Sequence, residues 1–305
     1  MAILDSIPEA IEVIRSGGVI IVVDDEDREN EGDFITASRS VTPEIINFMA
    51  THGRGLICAP LIESRCDALD LGLMVKTNNA AYETPFTVSV DLLGNGCTTG
   101  ISASDRSKTI HALIDPETDP NSLGKPGHIF PLMAQPGGVL TRAGHTEAGC
   151  DLARLAGFEP AAVIVEIMSD DGSMARLPEL TKIAKEHKIK IGTIEDLIKY
   201  RTKHEKTVIR KSESPINTEY GEFNLVSYED ILSNTMHVAL VKGNLKNNDS
   251  TFVRVHIQNT IRDILHSSHH SGWPLKNAMQ RINNEGDGVI LTSDGIHDYI
   301  SEKEF

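Results

Sequence analysis

The chain has 305 residues, 40% of them hydrophobic and 24% charged, which is typical of a globular protein of two domains or one large one. A formal net charge of −15 argues against nucleic acid as a partner, because the chain has no excess of cations to neutralise phosphates. The apolar run at residues 19–23 is too short for a signal sequence or a membrane span, and the four cysteines form no CxxC motif. We therefore expect a cytoplasmic protein with reduced thiols and no membrane partner.

Helices and strands are mixed along the first two hundred residues. Apolar residues at helical spacing predict a first helix over residues 5–16, and the β-branched run at 19–23 predicts a buried strand. Thr42 and Pro43 begin a further helix, as N-cap and first residue. The other predicted elements are strands at 34–37, 56–61, 86–91 and 161–168, helices at 107–112, 146–156, 177–187 and 194–201, and an irregular loop at 115–127.

The basic, polar segment at residues 199–214 predicts a linker. We therefore divide the chain into a domain of residues 1–204 and a smaller α/β domain of residues 205–305. The predicted elements of the second domain are strands near 223–227, 236–242, 251–257 and 288–292 and helices at 260–268 and 274–283.

The segment from Asp24 to Asp33 contains seven acidic residues in ten and directly follows a predicted strand, where α/β folds place ligand loops. Crowded carboxylates repel one another unless a cation or a proton intervenes, and such oxygen ligands suit Mg²⁺ or Mn²⁺. The alternative is a solvated acidic loop, the usual meaning of a charge run. Arg28 and Gly32 inside the run favour a built site.

A second feature, Arg142-Ala143-Gly144-His145-Thr146-Glu147, stands at the start of a predicted helix. Backbone N–H groups there favour an anion, to which Arg142 and Thr146 can add donors. His145 can offer an imidazole to a metal. The alternative is an ordinary helix start with an incidental arginine.

Two further residues carry acid–base chemistry. Glu166 lies in an otherwise apolar strand, where burial raises the pKa of a carboxyl group and suits it to general acid or base work; an outward-facing strand position is the alternative. His128 stands beside an apolar run, where a lone histidine is more often structural than catalytic.

Taken together, these motifs resemble the 3,4-dihydroxy-2-butanone 4-phosphate synthases. Residues 23–33 resemble that family's signature loop, and residues 98–106, TTGISASDR, resemble its TTGxSAxDR segment. The stretches at 127–132, 142–149 and 163–168 match its remaining motifs in order and spacing, so that the resemblance covers about residues 1–200.

The resemblance implies an α+β fold, a mixed β-sheet flanked by helices, in a homodimer whose active sites use residues of both chains. It implies metal ligation by Glu29 and His145, with two Mg²⁺ (or Mn²⁺) ions per site bridging Glu29. His128 and Glu166 match its catalytic pair. Its substrate contacts match Arg28, Glu29, Asp33, Thr99, Arg142, Ala143, Gly144, His145, Thr146 and Glu166.

The implied activity is that of a lyase of riboflavin biosynthesis, which converts D-ribulose 5-phosphate to L-3,4-dihydroxy-2-butanone 4-phosphate and formate. A C–H beside the substrate ketone must lose its proton, and Glu31, Asp33 or Glu166 can take it. The sequence leaves these three carboxylates as alternatives.

The C-terminal part resembles the start of GTP cyclohydrolase II at residues 217–223 and 252–256. That family holds a zinc ion with three cysteines, whose positions fall near Asn259, His269 and Ser271, and this chain has no cysteine after Cys150. We expect a truncated domain without zinc or cyclohydrolase activity. The rival hypotheses are a bifunctional enzyme that also hydrolyses GTP and a non-catalytic regulator that binds a sugar phosphate. A metal site at His266, His269 and His270 is a further alternative to an exposed polar turn.

Overall fold

A computed structural model describes residues 4–232, 234–243, 245, 250–257, 263 and 273–293. The chain divides into two compact units, Met1–Glu205 and Lys206–Phe305, and each is described by itself. Within the described residues, no helix combines the length and the apolar character needed to cross a bilayer.

The first unit is built on a seven-stranded mixed sheet. In chain order the strands are β1 (Ile20–Val23), β2 (Gly32–Ala37), β3 (Cys58–Ile62), β4 (Val90–Leu92), β5 (Leu123–Ala134), β6 (Ala162–Glu166) and β7 (Ile191–Thr193). Their order across the sheet is β4-β5-β3-β6-β2-β1-β7. The pairs β1–β7 and β3–β5 are parallel and the others are antiparallel. Since the three central strands are mostly apolar and mostly buried, the sheet needs cover on both faces.

Seven helices provide that cover in two layers. They are α1 (Ile7–Arg15), α2 (Pro43–His52), α3 (Glu63–Ala68), α4 (Ala103–Ile114), α5 (His145–Leu155), α6 (Leu177–His187) and α7 (Ile194–His204). One hydrophobic cluster joins the sheet to α1, α5 and α7, and a second joins its other face to α2, α3, α4 and α6. Phe34 and Ile35, neighbours on β2, belong to different clusters because successive side chains of a strand point to opposite faces.

Several helix starts are fixed by side-chain caps. The Thr42 hydroxyl accepts the backbone N–H of Ile45, and Pro43 occupies the first turn of α2, as the sequence predicts. Ser102 caps α4 in the same way through Asp105. These caps satisfy backbone donors that have no partner inside the helix.

Some predicted elements differ from the structure. The predicted loop at 115–127 is wrong at its end, because β5 begins at Leu123. The predicted linker at 199–214 is wrong as well, since α7 continues to His204 and a strand begins at Val208. That strand is exposed along most of its length, so it lacks the alternation of apolar and polar residues that reveals a half-buried strand.

The second unit contains a five-stranded mixed sheet. Its strands are β8 (Val208–Thr218), β9 (Gly221–Asp230), β10 (Thr235–Lys242), β11 (Val253–Ile257) and β12 (Gly288–Ser293), in the order β11-β12-β10-β9-β8. Helix α8 (Leu275–Glu285) packs Ala278 and Ile282 with Phe223 and Ile290 of the sheet. The predicted helix at 260–268 lies outside the described residues. The expected α+β class, with mixed sheets flanked by helices, is confirmed.

A buried ion pair joins α7 to α5. Arg201 Nη1 donates to Asp151 Oδ2 at 2.7 Å, and both side chains are buried. The same carboxylate oxygen accepts the backbone N–H of Val139 at 2.8 Å. By contrast, the pair between Lys199 and Glu195 on α7 is exposed to solvent, which screens it.

We expect Arg201→Met to lower the free energy of unfolding by about 3–5 kcal/mol, because Asp151 would lose its buried partner and keep only the partly exposed Arg154, 3.7 Å away. Lys199→Ala, the matched control on the same helix, should change it by less than about 0.5 kcal/mol. Urea unfolding followed by far-ultraviolet circular dichroism measures both. A loss below about 1 kcal/mol for Arg201→Met would show that Asp151 does not depend on this cation.

Candidate active site

Two carboxylates lie side by side where β2 and β6 meet at one end of the sheet. Asp33 pairs with Glu166 across these strands, and Val22 of β1 pairs with Asp33. Paired residues share a face, and this face is the one that α5 covers. Because α5 begins with His145, the sheet end, the acidic loop and the first turn of that helix converge at one place.

The acidic loop is folded around Asp24, which is buried. Its Oδ1 accepts the backbone N–H of Glu31 at 2.8 Å, and its Oδ2 accepts that of Glu29 at 3.1 Å and Arg28 Nη1 at 2.8 Å. Arg176 donates to the Glu29 carbonyl at 2.8 Å from outside the loop. The solvated-loop alternative therefore describes only the exposed stretch at residues 25–27.

His145 is buried and faces the carboxylates with one defined nitrogen. Its Nε2 lies 3.1 Å from the Val22 carbonyl, which only accepts, so Nε2 carries a proton. Its Nδ1 lies 3.8 Å from both Glu29 Oε2 and Asp33 Oδ1. Burial alone lowers the pKa of His145, but the carboxylates of Asp33, Glu29 and Asp24 outweigh it and raise that pKa to about 9.

Asp33 is buried in the middle of this group of carboxylates. Burial, together with the neighbouring charges of Glu166, Glu29 and Glu31, raises its pKa to about 7 against the opposing effect of His145. Its buried Oδ1 accepts no hydrogen bond from any residue that the structure describes. Such an atom is costly unless a proton or a cation completes it.

The oxygen and nitrogen atoms gathered here are suitable ligands for a hard divalent cation. One ligand atom each of Asp24, Glu29 and His145 lies within 4.8 Å of the others, and the unpartnered Asp33 oxygen borders the same imidazole. Carboxylate oxygens with one imidazole suit Mg²⁺ or Mn²⁺, and the Val22 carbonyl orients the imidazole from its far side. The His145 imidazole, 3.8 Å away, and the Arg28 guanidinium, which donates to Glu29 Oε2 at 2.7 Å, lower the pKa of Glu29 and favour its charged form despite partial burial.

The predicted anion-binding residues gather at the first turn of α5. Gly144 is the N-cap, and an added Cβ there would lie 2.3 Å from Arg142 Nη1, so glycine lets the guanidinium lie across the helix start. Arg142 also donates to Glu147 Oε2 at 2.7 Å. Thr146 is buried beside it, and Ala143 precedes the cap. The free N–H groups of this turn can receive an anion.

Tyr82 connects the acidic loop to this helix start. Its hydroxyl donates to the Arg28 carbonyl, and the Arg28 guanidinium lies 5.1 Å from the centre of its ring. Its own carbonyl accepts Arg142 Nη2 at 3.0 Å. Both arginines predicted to contact substrate therefore meet at one aromatic residue.

Glu166 is held by the backbone that enters β3. Its Oε2 accepts the N–H of Leu56 at 2.9 Å, and an added Cβ on Gly55 would lie 2.5 Å from the same oxygen. Glycine at position 55 thus allows the chain to approach the carboxylate closely. Glu31 lies at the end of the acidic loop, and burial with the nearby Glu29 charge raises its pKa.

His128 and Thr99 lie elsewhere on the first unit. His128 is on β5, two strands beyond Glu166, which is about 10 Å of backbone separation. Its Nδ1 lies 2.6 Å from Asp91 Oδ2. Thr99 lies in a loop before α4. Asp105 holds that loop by accepting the backbone N–H of Gly100. Among the described residues, no hydrogen bond or ion pair joins His128 or Thr99 to the cluster around His145.

Sequence reasoning missed three residues of the site. Asp24 could have been identified from the sequence, because it begins the acidic run directly after an apolar strand. Asp91 had a weaker signal, as an acid at the end of an apolar strand. Tyr82 had no signal, since its position depends on a loop with no periodic pattern.

The sequence matches the family profile of 3,4-dihydroxy-2-butanone 4-phosphate synthase over residues 8–200 and that of GTP cyclohydrolase II over residues 209–299. It is 60% identical to riboflavin biosynthesis protein RibBA of Cytophaga hutchinsonii, over 94% of this chain and 71% of that one. It is 52% identical to 3,4-dihydroxy-2-butanone 4-phosphate synthase of Pseudomonas aeruginosa, over 94% of this chain and 79% of that one.

The chain is also similar to solved structures of 3,4-dihydroxy-2-butanone 4-phosphate synthases. RibBX, a two-domain 3,4-dihydroxy-2-butanone 4-phosphate synthase of A. baumannii, matches with a TM-score of 0.79 and 46% identity, over 96% of this chain and 83% of that one. A synthase crystallised with two magnesium ions matches with a TM-score of 0.63 and 44% identity, over 66% of this chain and 98% of that one. The chain belongs to the 3,4-dihydroxy-2-butanone 4-phosphate synthase family, whose members are lyases.

Proposed function

We propose that this chain converts D-ribulose 5-phosphate to L-3,4-dihydroxy-2-butanone 4-phosphate and formate, as a cytoplasmic enzyme of riboflavin biosynthesis. The observation that carries the proposal is the convergence of Glu29 and Asp33 on the imidazole of His145, with Glu166 paired to Asp33, at the anion-binding start of α5. Family membership and the names of its relatives support the substrate and the reaction.

Glu29 and His145 are the proposed metal ligands, in a site for two Mg²⁺ ions, or Mn²⁺, that share Glu29. A divalent ion bound there would polarise the carbonyl and hydroxyl oxygens of the ketose. The Val22 carbonyl holds the proton on His145 Nε2, so that Nδ1 is the nitrogen that would bind the ion, which would displace the Nδ1 proton that Glu29 and Asp33 favour.

The carboxylates and His128 are the proposed general acids and bases. Asp33 Oδ1 has no hydrogen-bond donor and is available to take the proton beside the ketone; Glu31 and Glu166 are the alternatives. Glu166 would act beside the metal site, and His128, supplied by the second copy of the proposed dimer, would act on a different carbon of the five-carbon substrate. Their proposed role is to relay protons during the later rearrangement and the release of formate.

The proposed substrate contacts fall into two groups of residues. The phosphate would lie at the start of α5 against Arg142, Ala143, Gly144 and Thr146. Arg28, Glu29, Asp33, His145, Glu166 and Thr99 complete the proposed contact set.

A homodimer with shared active sites is part of the proposal. Thr99 and His128 lie apart from the metal cluster within one chain, and a second copy can supply them. Large apolar side chains on this unit are exposed, among them Leu73, Met74 and Val75 at 53%, 45% and 51%, as expected of a surface that another protein covers.

The reaction is tested by incubating the chain with ribulose 5-phosphate and Mg²⁺ and measuring formate. We expect His145→Ala and Glu166→Gln to lower kcat by at least about 100-fold, because each removes a ligand or an acid–base group. Glu29→Gln should do the same. Glu26→Gln, the matched control on the exposed part of the same loop, should retain wild-type activity. Absence of formate from the wild-type protein would refute the assignment.

Metal binding can be measured without substrate. Titration of Mn²⁺ followed by electron paramagnetic resonance should show affinity reduced at least about 10-fold in Glu29→Gln and His145→Ala. Glu26→Gln should bind Mn²⁺ as the wild type does. Unchanged binding in His145→Ala would place the ion elsewhere.

The second unit is proposed to lack GTP cyclohydrolase activity and zinc. The bifunctional alternative is favoured by the family match over residues 209–299. Against it, the sequence has no cysteine after Cys150 that could supply thiolate ligands to zinc. Asn259, His266, His269, His270 and Ser271, the substitute ligands considered from the sequence, lie outside the described residues.

We expect GTP to remain intact when incubated with the protein, with or without added Zn²⁺, as followed by anion-exchange chromatography. Deletion of residues 206–305 should leave formate production from ribulose 5-phosphate within about threefold of wild type, because the first unit has its own core. Consumption of GTP would establish the bifunctional alternative. Loss of synthase activity in a folded deletion variant would give the second unit a role in catalysis.

A further inference from the structure

His128 makes two hydrogen bonds to a single carboxylate, one through its imidazole and one through its backbone. Asp91 Oδ2 lies 2.6 Å from His128 Nδ1, and Asp91 Oδ1 accepts the backbone N–H of His128 at 2.8 Å. The Asp91 side chain is 16% exposed, whereas the His128 side chain is 45% exposed. The carboxylate is therefore enclosed while the far side of the ring, with Nε2, faces outward.

The surrounding backbone is shaped to hold this carboxylate. The register between β4 and β5 shifts between Val90 and Asp91, and such an irregularity changes the direction of nearby side chains. Gly100 has a φ of +90°, and an added Cβ there would lie 2.1 Å from Asp91 Oδ2. Asp105 fixes that loop by accepting the N–H groups of Thr98 and Gly100. The loop therefore packs its backbone directly on Asp91.

We propose that Asp91 is a positioning residue for His128: it keeps the ring proton on Nδ1 and so leaves Nε2 able to exchange a proton with the substrate. This inference rests on the proposed function, in which His128 is an acid–base group. An aspartate that orients a histidine through its second ring nitrogen fixes both the tautomer and the angle of the ring.

Asp91→Asn tests the tautomer because the amide cannot replace both oxygens. One position must remain an oxygen to accept the His128 backbone N–H, so the amide NH₂ faces Nδ1. Nδ1 must then accept, and the ring proton moves to Nε2. The side chain keeps its size and its backbone hydrogen bond, while the nitrogen that faces outward can no longer accept a proton.

We expect Asp91→Asn to lower kcat for formate release by about 10²–10⁴-fold with little change in KM. In a His128→Gln background, Asp91→Asn should cause no further loss, because two residues that act as one unit are not additive. Asp91→Glu should recover part of the activity. Asp119→Asn, the matched control, removes an exposed carboxylate that accepts the Asn121 N–H and should behave as wild type.

Nitrogen-15 spectra of histidine-labelled protein give a readout independent of turnover, with the His128 signal assigned from His128→Gln. The wild type should show protonated Nδ1 and unprotonated Nε2, and Asp91→Asn should show the reverse. If wild-type protein releases formate but Asp91→Asn keeps its kcat and its tautomer, the inference is wrong. If losses in the double variant multiply, Asp91 has only a structural role. If the wild type releases no formate, the proposed function fails, whatever tautomer the spectra show.

Discussion

Mutual repulsion among buried carboxylates governs this site. Asp33 is enclosed with Glu29, Glu31 and Glu166 nearby, and a single imidazole is the counter-charge closest to it. In a medium of low polarity such a carboxylate needs a cation to remain charged, or it takes a proton and becomes neutral. The loop around Asp24, the pairing of β2 with β6 and the start of α5 all serve to hold these charges at a fixed spacing.

Much of the first unit is readable from local chemistry. The Thr42 cap, the apolar run of β1 and the acid-rich segment after it follow from residue type and spacing, and the structure contains each of them. The meeting of Glu29 with His145, more than a hundred residues apart, cannot be derived from those rules. The resemblance to a family indicated it, and the sheet order explains it, since both residues lie at one end of the central strands.

Other elements escaped prediction for physical reasons. The first half of β5 contains Lys125, Pro126, Gly127 and His128, which hide a strand because few of them are apolar. In the second unit, β8 is exposed and reads as a polar linker, although it pairs with β9 along its length. Tyr82 connects two distant loops through backbone carbonyls, a contact that no side-chain pattern encodes.

Antiparallel pairing of β2 with β6 restricts how the chain can change in length. A single residue inserted into either strand would turn Asp33 or Glu166 to the opposite face, where Phe34 and Val165 belong to an apolar cluster. The exposed stretch at residues 25–27 lies outside this register and tolerates insertion far better. Length variation among related chains should therefore concentrate in the tip of the acidic loop and spare the strands on either side of it.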